Sequence, residues 1–182
     1  MFALVARCWG PHHTTRRRRS RSRGGSVRGP GTTRRHPVAE ATDQERLREL
    51  PHGGFVGALG LEFDGLEDGG VRAHLECGPQ HHQPYGIVHG GVYASIVETL
   101  ASISAALDVE AQGKVVVGVS NATDFLRAHR TGRIDAVAKP IHRGRLQHVW
   151  VVEITRAGDG KLVARGQVRL QVLDPDQVGG HG

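Results

Sequence analysis

Between Glu76 and Asp108 the only formally charged residue is Glu98, set in the middle of a run from Ile87 to Leu107 that is otherwise mostly small, apolar or hydroxyl-bearing. Burying a polar group without a partner costs on the order of a few kcal/mol, so a carboxylate placed there needs a reason. One reason is chemistry, as a general base or nucleophile. The other is structural: a carboxylate capped by Ser95, Thr99 or Ser102. His89-Gly90-Gly91 opens the same run. If the run is a helix, its first backbone amides are free, and glycines let a substrate oxygen approach them, as an oxyanion site requires. A glycine pair that merely allows close packing at a turn is the alternative. Eight residues separate Gly90 from Glu98, a helical rise of about 12 Å, too far for both to act on one carbonyl carbon. If both are catalytic, the Glu98 of one chain faces the Gly90 amide of another, and a homodimer with interfacial sites follows.

Other chemistries find less support. His81, His82 and His89 have no regular ligand spacing and no accompanying carboxylate, so no metal is expected. There is no nucleophile-elbow serine and no phosphate loop. Val92 and Tyr93 could line an acyl pocket, although core packing accounts for them equally. Arg127, Arg130, Arg133, Lys139, Arg143 and Arg145 fall in one stretch. They read either as contacts to a phosphate-bearing ligand or as a solvated edge.

The elements that must position these residues follow from periodicity. Thr42-Asp43-Gln44-Glu45 has the form of a capping box for a short helix ending near Leu50. Phe55 to Leu66 reads as extended, ending in the turn Asp68-Gly69-Gly70. Val71, Ala73, Leu75 and Cys77 alternate with polar partners, the pattern of a half-buried strand. A loop over 78–88 leads into a helix from His89 to Leu107 that is apolar on nearly all sides, hence enclosed. Four β-rich segments follow as a meander: Val115 to Phe125, Arg133 to His142, Leu146 to Thr155 and Lys161 to Leu173. A twisted antiparallel sheet wrapped around one long helix satisfies this order, an α+β hotdog arrangement.

Charge divides the chain. Residues 1 to 37 hold ten arginines and no acid, whereas the remainder holds fourteen of the 24 Lys and Arg and all 18 Asp and Glu, a net of −4. The folded part is therefore mildly acidic, and nucleic-acid binding could reside only in the tail. The expected organisation is an Arg-rich disordered tail over 1–40, one domain over 41–175 and a flexible end over 176–182. The tail fits a transit peptide, a phosphate-binding arm or translated sequence upstream of the true start. Cys8 and Cys77 make no disulfide framework, which fits a reducing, cytoplasmic setting. The polar interruptions of the 87–107 run argue against a membrane span.

The string from Gln83 to Gly91, QPYGIVHGG, followed by Ser95 to Ser102, SIVETLAS, resembles the hotdog acyl-CoA thioesterases of the phenylacetate-degradation type. Within these it is similar to the bacterial enzymes acting on dihydroxynaphthoyl-CoA and on misloaded aryl carrier proteins. Further matches are KVVVG over 114–118, Lys139 to Gly144, and Gln147 to Trp150. The resemblance covers roughly 55–173. It implies that Glu98 is nucleophile or base, that the Gly90 amide polarises the thioester, that Gln83 and His89 orient it, and that Ser102 helps place water. It further implies acyl or CoA contacts at Gly118, at Phe125, Leu126, Arg127 and Ala128, and at His142, Arg143, Gly144, Arg145, Leu146 and Gln147. No cofactor is implied, since the CoA thioester is the substrate, and a homodimer or dimer of dimers is expected. Phe125 departs from the family pattern, which has histidine there. A hotdog regulator that binds acyl-CoA without turnover is the rival reading, against which the intact Glu98 stands. A hotdog hydratase lacks its Asp and His pair here.

Overall fold

The structure, a computed structural model, describes residues 53–178. The capping-box helix expected after Thr42, the Arg-rich tail and the last four residues lie outside the described residues. Six strands form one antiparallel sheet: β1 (Glu62–Glu67), β2 (Gly70–Cys77), β3 (Val115–Phe125), β4 (Gly132–Arg143), β5 (Gln147–Arg156) and β6 (Leu162–Leu173). A short helix, α1 (Gly54–Leu59), precedes them, and a long one, α2 (Gly90–Val109), separates β2 from β3.

The first hairpin forms as the alternation predicts. Val71, Ala73, Leu75 and Cys77 are all buried, and the connection is the two-residue loop Asp68-Gly69, both at positive φ (51° and 77°). That is the backbone twist a tight β-hairpin favours. The segment before it departs from expectation. Its first half is α1 and not extended chain. Val56 and Leu59, three residues apart and so on one helical face, pack on the core, which outweighs the poor helix propensity of two glycines in GFVGAL. Gly60 closes the helix in the left-handed conformation (φ 74°), its amide donating to the Val56 and Gly57 carbonyls.

The strand order is β1-β2-β4-β5-β6-β3. The last four strands are therefore not a simple meander, because β3 pairs with β6 at the far edge. The link over 126–131 must cross about 14 Å of sheet, three interstrand spacings, and a chain of that length can reach roughly 20 Å. What selects the far edge is α2, which packs on β2 to β6 and delivers the chain there. Residues after Leu173 are not wholly frayed. Asp174 starts a 3-10 turn over Pro175–Gln177, and the Lys114 ammonium meets its carboxylate at 2.6 Å.

Helix α2 buries Ile96, Val97, Leu100, Ala101, Ser104 and Ala105, a stripe at the three- and four-residue spacing of one helical face. Burial of each large aliphatic contributes roughly 1.5–3 kcal/mol. Ser104 Oγ donates to the Leu100 carbonyl at 2.6 Å and accepts from the Val71 amide at 2.9 Å, tying the helix to β2. The helix is long and apolar enough to cross a membrane by composition, but it is the core helix of this fold. It is not enclosed all round: Ala94, Ser95, Glu98, Thr99 and Ser102 form a half-buried face.

At the C-terminal end of α2, Asp108 pairs with Arg143 at 3.2 Å. The Arg143 guanidinium lies over the buried Trp150 ring, 5.2 Å from its centroid. His148 is buried in the same corner. Burial pushes its pKa below the ordinary 6.5, with Asp108 opposing and Arg143 and His142 reinforcing the shift. The folded state thus favours the neutral ring, and its contribution is present above about pH 6.5 and lost as pH falls through the depressed folded value. Denaturant titrations between pH 7 and pH 5 are expected to show wild-type stability falling and His148→Gln losing less over the same range.

Candidate active site

The local sequence sets each feature of the helix start. His89 is the N-cap of α2, and its Nδ1 accepts the Gly91 amide at 2.8 Å. In the neutral ring that hydrogen bond puts the proton on Nε2. Gly91 must be bare for this, because a Cβ there would lie 2.9 Å from His89 Nδ1. The Val92 amide donates to the His89 carbonyl. Of the first three helical amides only that of Gly90 has no hydrogen-bond partner among the described residues. A Cβ on Gly90 would stand 2.9 Å from the Phe125 ring, so the two glycines serve different contacts.

Glu98 lies two turns further along, half-buried. Of the three candidate caps Ser102 contacts the carboxylate, its Oγ 3.4 Å from Oε1, and Asn121 Nδ2 donates to Oε2 at 2.9 Å. No Lys, Arg or His forms an ion pair with it among the described residues. Oε1 rests against Gly118, where a Cβ would come within 2.5 Å. Gly118 and Asn121 differ by three positions, yet both face the helix. A β-bulge makes this possible: the register of β3 against β6 slips between Gly118 and Ser120, leaving Val119 as the extra residue. Before the bulge the even positions face α2, and after it the odd ones, Asn121, Thr123 and Phe125, do. Asn121 was missed by sequence reasoning. It follows Gly118 in a stretch, GVSNATD, that is poor in β-formers, and a glycine inside a strand is the signal that could have pointed to the bulge that turns Asn121 toward α2.

Two shallow depressions adjoin on this face. One is lined by Glu98, Gly118, Asn121 and Thr123, the other by Gln83, His89, Gly90 and Gly91, and Ala94 and Phe125 border both. Within one chain the structure thus brings Gln83, His89 and Gly90 together, and separately Glu98, Ser102 and Gly118. Phe125, 57% exposed, stands at the junction, its ring 6.1 Å from that of Tyr93. Leu126, Arg127 and Ala128 follow β3 as exposed chain and line neither depression. His142 to Gln147 form the β4–β5 turn, also outside both.

Most of the basic stretch is committed elsewhere. Arg127 donates to the Leu162 carbonyl, Arg130 to those of Tyr85 and Gly86, and Arg133 pairs with Asp64 and Asp135. Lys139 meets Glu153 and Arg143 meets Asp108. Arg145 alone of the six has no such partner among the described residues. His81 and His82 are likewise spent on backbone: His81 contacts the Leu59 carbonyl and the Gly78 amide, and His82 the Arg130 carbonyl.

One long helix lying across a six-stranded antiparallel sheet is the hotdog fold. The chain belongs to the thioesterase superfamily, whose profile matches residues 85–163. A Mycobacterium tuberculosis protein described as a candidate esterase is 47% identical over 122 residues, covering 66% of this chain and 86% of its own. Its solved structure superposes with a TM-score of 0.64 at 46% identity, over 66% and 96% of the two chains. The Escherichia coli 1,4-dihydroxy-2-naphthoyl-CoA hydrolase is 33% identical over 129 residues, 71% of this chain and 93% of that enzyme. A Haemophilus influenzae thioesterase structure matches at 30% identity with a TM-score of 0.68, over 74% and 92%.

The Gly90 contact gives a test of packing. Gly90→Ala is expected to destabilise by about 1–3 kcal/mol, the usual cost of overpacking. Adding Phe125→Ala is expected to recover most of that loss, read as the denaturation midpoints of the two single variants and the double.

Proposed function

We propose that the chain hydrolyses acyl-CoA thioesters, aryl-CoA among them, to the free acid and CoA. The observation that carries this reading is the Glu98 carboxylate, half-buried and without a paired cation among the described residues, at an open depression beside the bare backbone of Gly118. A structural acid is ordinarily satisfied by a cation or fully capped. This one leaves an oxygen toward solvent.

Glu98 acts as base or nucleophile. In the first course it takes a proton from water as the water oxygen attacks the carbonyl carbon. In the second it attacks that carbon itself, and water opens the resulting anhydride. Both end alike: the C–S bond breaks, the leaving sulfur takes up a proton that came from water, and the acid and CoA thiol together hold the elements of that water. Negative charge builds on the thioester oxygen, where the unpartnered Gly90 amide and the helix N-terminus stabilise it. Gln83 and His89, through its Nε2 hydrogen, orient the thioester, and Ser102 helps hold the water. Because Gly90 and Glu98 of one helix are about 12 Å apart, we assign each site to two chains of a homodimer. Arg145, with no partner among the described residues, is the residue of the β4–β5 turn best suited to a CoA phosphate, while His142, Gly144, Leu146 and Gln147 flank it. The wholly buried environment of Cys77, whose thiol burial and then Glu76 push up to about 11, fits a reducing compartment such as the cytoplasm.

The test is release of CoA thiol from a panel of aryl- and alkyl-CoA thioesters. Glu98→Ala is expected to stay folded and oligomeric and to lose at least about hundredfold in turnover. Near-normal hydrolysis by the folded variant contradicts the mechanism, and tight CoA binding by wild type without thiol release favours the regulator.

A further inference from the structure

We propose that Asn121, held by Thr123, is a positioning residue that fixes the orientation of Glu98 and selects Oε1 as its reacting oxygen. The inference rests on Glu98 being the catalytic carboxylate.

Asn121 uses every polar atom of its side chain. Both Nδ2 hydrogens are engaged, one with Glu98 Oε2 at 2.9 Å and one with the Ala94 carbonyl at 3.1 Å. Its Oδ1 accepts the Thr123 hydroxyl at 2.7 Å. The two ends of an amide have nearly the same shape, so only such partners decide which way it points. A flipped Asn121 would set its oxygen against two acceptors, the carboxylate and the carbonyl. The Thr123 hydroxyl, already aimed at Oδ1, makes the observed orientation the satisfied one.

The Ala94 contact adds a second constraint. Ala94 is one helical turn before Glu98, so Asn121 grips both the turn that carries the side chain and the carboxylate at its end. The carboxylate then cannot rotate freely. Oε2 is committed to Asn121, whereas Oε1 has only the long Ser102 contact at 3.4 Å and faces the bare Gly118. A hydrogen bond to the ionised form also favours ionisation, which a base or nucleophile needs before it can act.

Thr123 is itself positioned by an omission on the neighbouring strand. It pairs with Gly166 of β6, where a Cβ would lie 2.6 Å from Thr123 Oγ1 and 2.7 Å from Val97 Cγ1. The missing side chain lets helix, threonine and sheet close together under the site.

A purely structural Asn121 would tie β3 to α2 and affect only stability. The two roles separate in a carbon-13 titration of the Glu98 carboxyl, which needs no substrate, read beside the pH profile of kcat and the melting temperature. Asn121→Ala is expected to free the carboxylate from its anchor, seen as a changed Glu98 carboxyl resonance across the titration and a displaced pH profile of kcat. It should lower kcat by about ten- to hundredfold with KM changed far less. Thr123→Val is expected to shift both readouts in the same direction by a smaller factor, and Thr123→Ser to restore them. An unchanged Glu98 titration in folded Asn121→Ala, or in Thr123→Val should Asn121→Ala fail to fold, overturns the inference and leaves the thioesterase reading standing. Hydrolysis that survives Glu98→Ala removes the reading on which it rests.

Discussion

A carboxylate set in a half-buried face, with no cation paired to it among the described residues, is the group that the surrounding contacts answer to. Its desolvation has to be offset by hydrogen bonds, and those bonds must leave one oxygen free. Helix α2 supplies Ser102 one turn on, but a helix cannot reach sideways over its own side chain. The remaining contacts come from β3, and an unbroken strand would present Gly118, Ser120 and Ala122 to the helix. The bulge at Val119 changes that sequence of inward positions to Gly118, Asn121 and Thr123. One extra residue thereby places a bare backbone beside Oε1 and an amide donor beside Oε2.

The same economy of side chains runs through the rest of the site. Gly90, Gly91, Gly118 and Gly166 each make room for a specific neighbour: the Phe125 ring, the His89 cap, the Glu98 carboxylate, and the Thr123 and Val97 pair. None of these four depends on a positive φ. Their role is close approach, and it explains why a face with two polar anchors can also be closely packed. The buried stripe from Ile96 to Ala105 holds the helix down, so the carboxylate's position is a consequence of core packing and not of a flexible loop.

Much of this was legible in the sequence because it rests on local periodicity. Val71 to Cys77 alternates over one hairpin, and β3 to β6 match the four β-rich segments to within a residue or so, with β3 over 115–125 in both. The isolation of Glu98 and the His89-Gly90-Gly91 entry singled those residues out by composition alone. What escaped depended on contacts distant in the chain. Helix α1 is stabilised by burying Val56 and Leu59 against strands that come later. The pairing of β3 with β6 is decided by where α2 ends. Asn121 faces Glu98 only through a register shift measured against β6. The partners of the basic stretch were hidden for the same reason, since Arg130, Arg133 and Arg143 answer to Gly86, Asp64 and Asp108, between 35 and 69 positions away.

Placing Glu98 and the Gly90 amide on one straight helix keeps them apart within a chain, and joining them requires a second chain whose helix meets the first. We propose that each thioester is worked on by Glu98 of one subunit and Gly90 of its partner. Subunit mixing tests it most directly. One chain carries Glu98→Ala. The other carries Gly90→Pro, which keeps a first helical turn but removes its N–H, together with Phe125→Ala to leave room for the ring. Each alone is expected to be an inactive, folded oligomer. Mixed dimers regain one site with both groups intact, so thiol release returns on mixing, to as much as about half the wild-type rate per mixed dimer. Folded mixed dimers that remain inactive would show that the two groups do not meet across the interface.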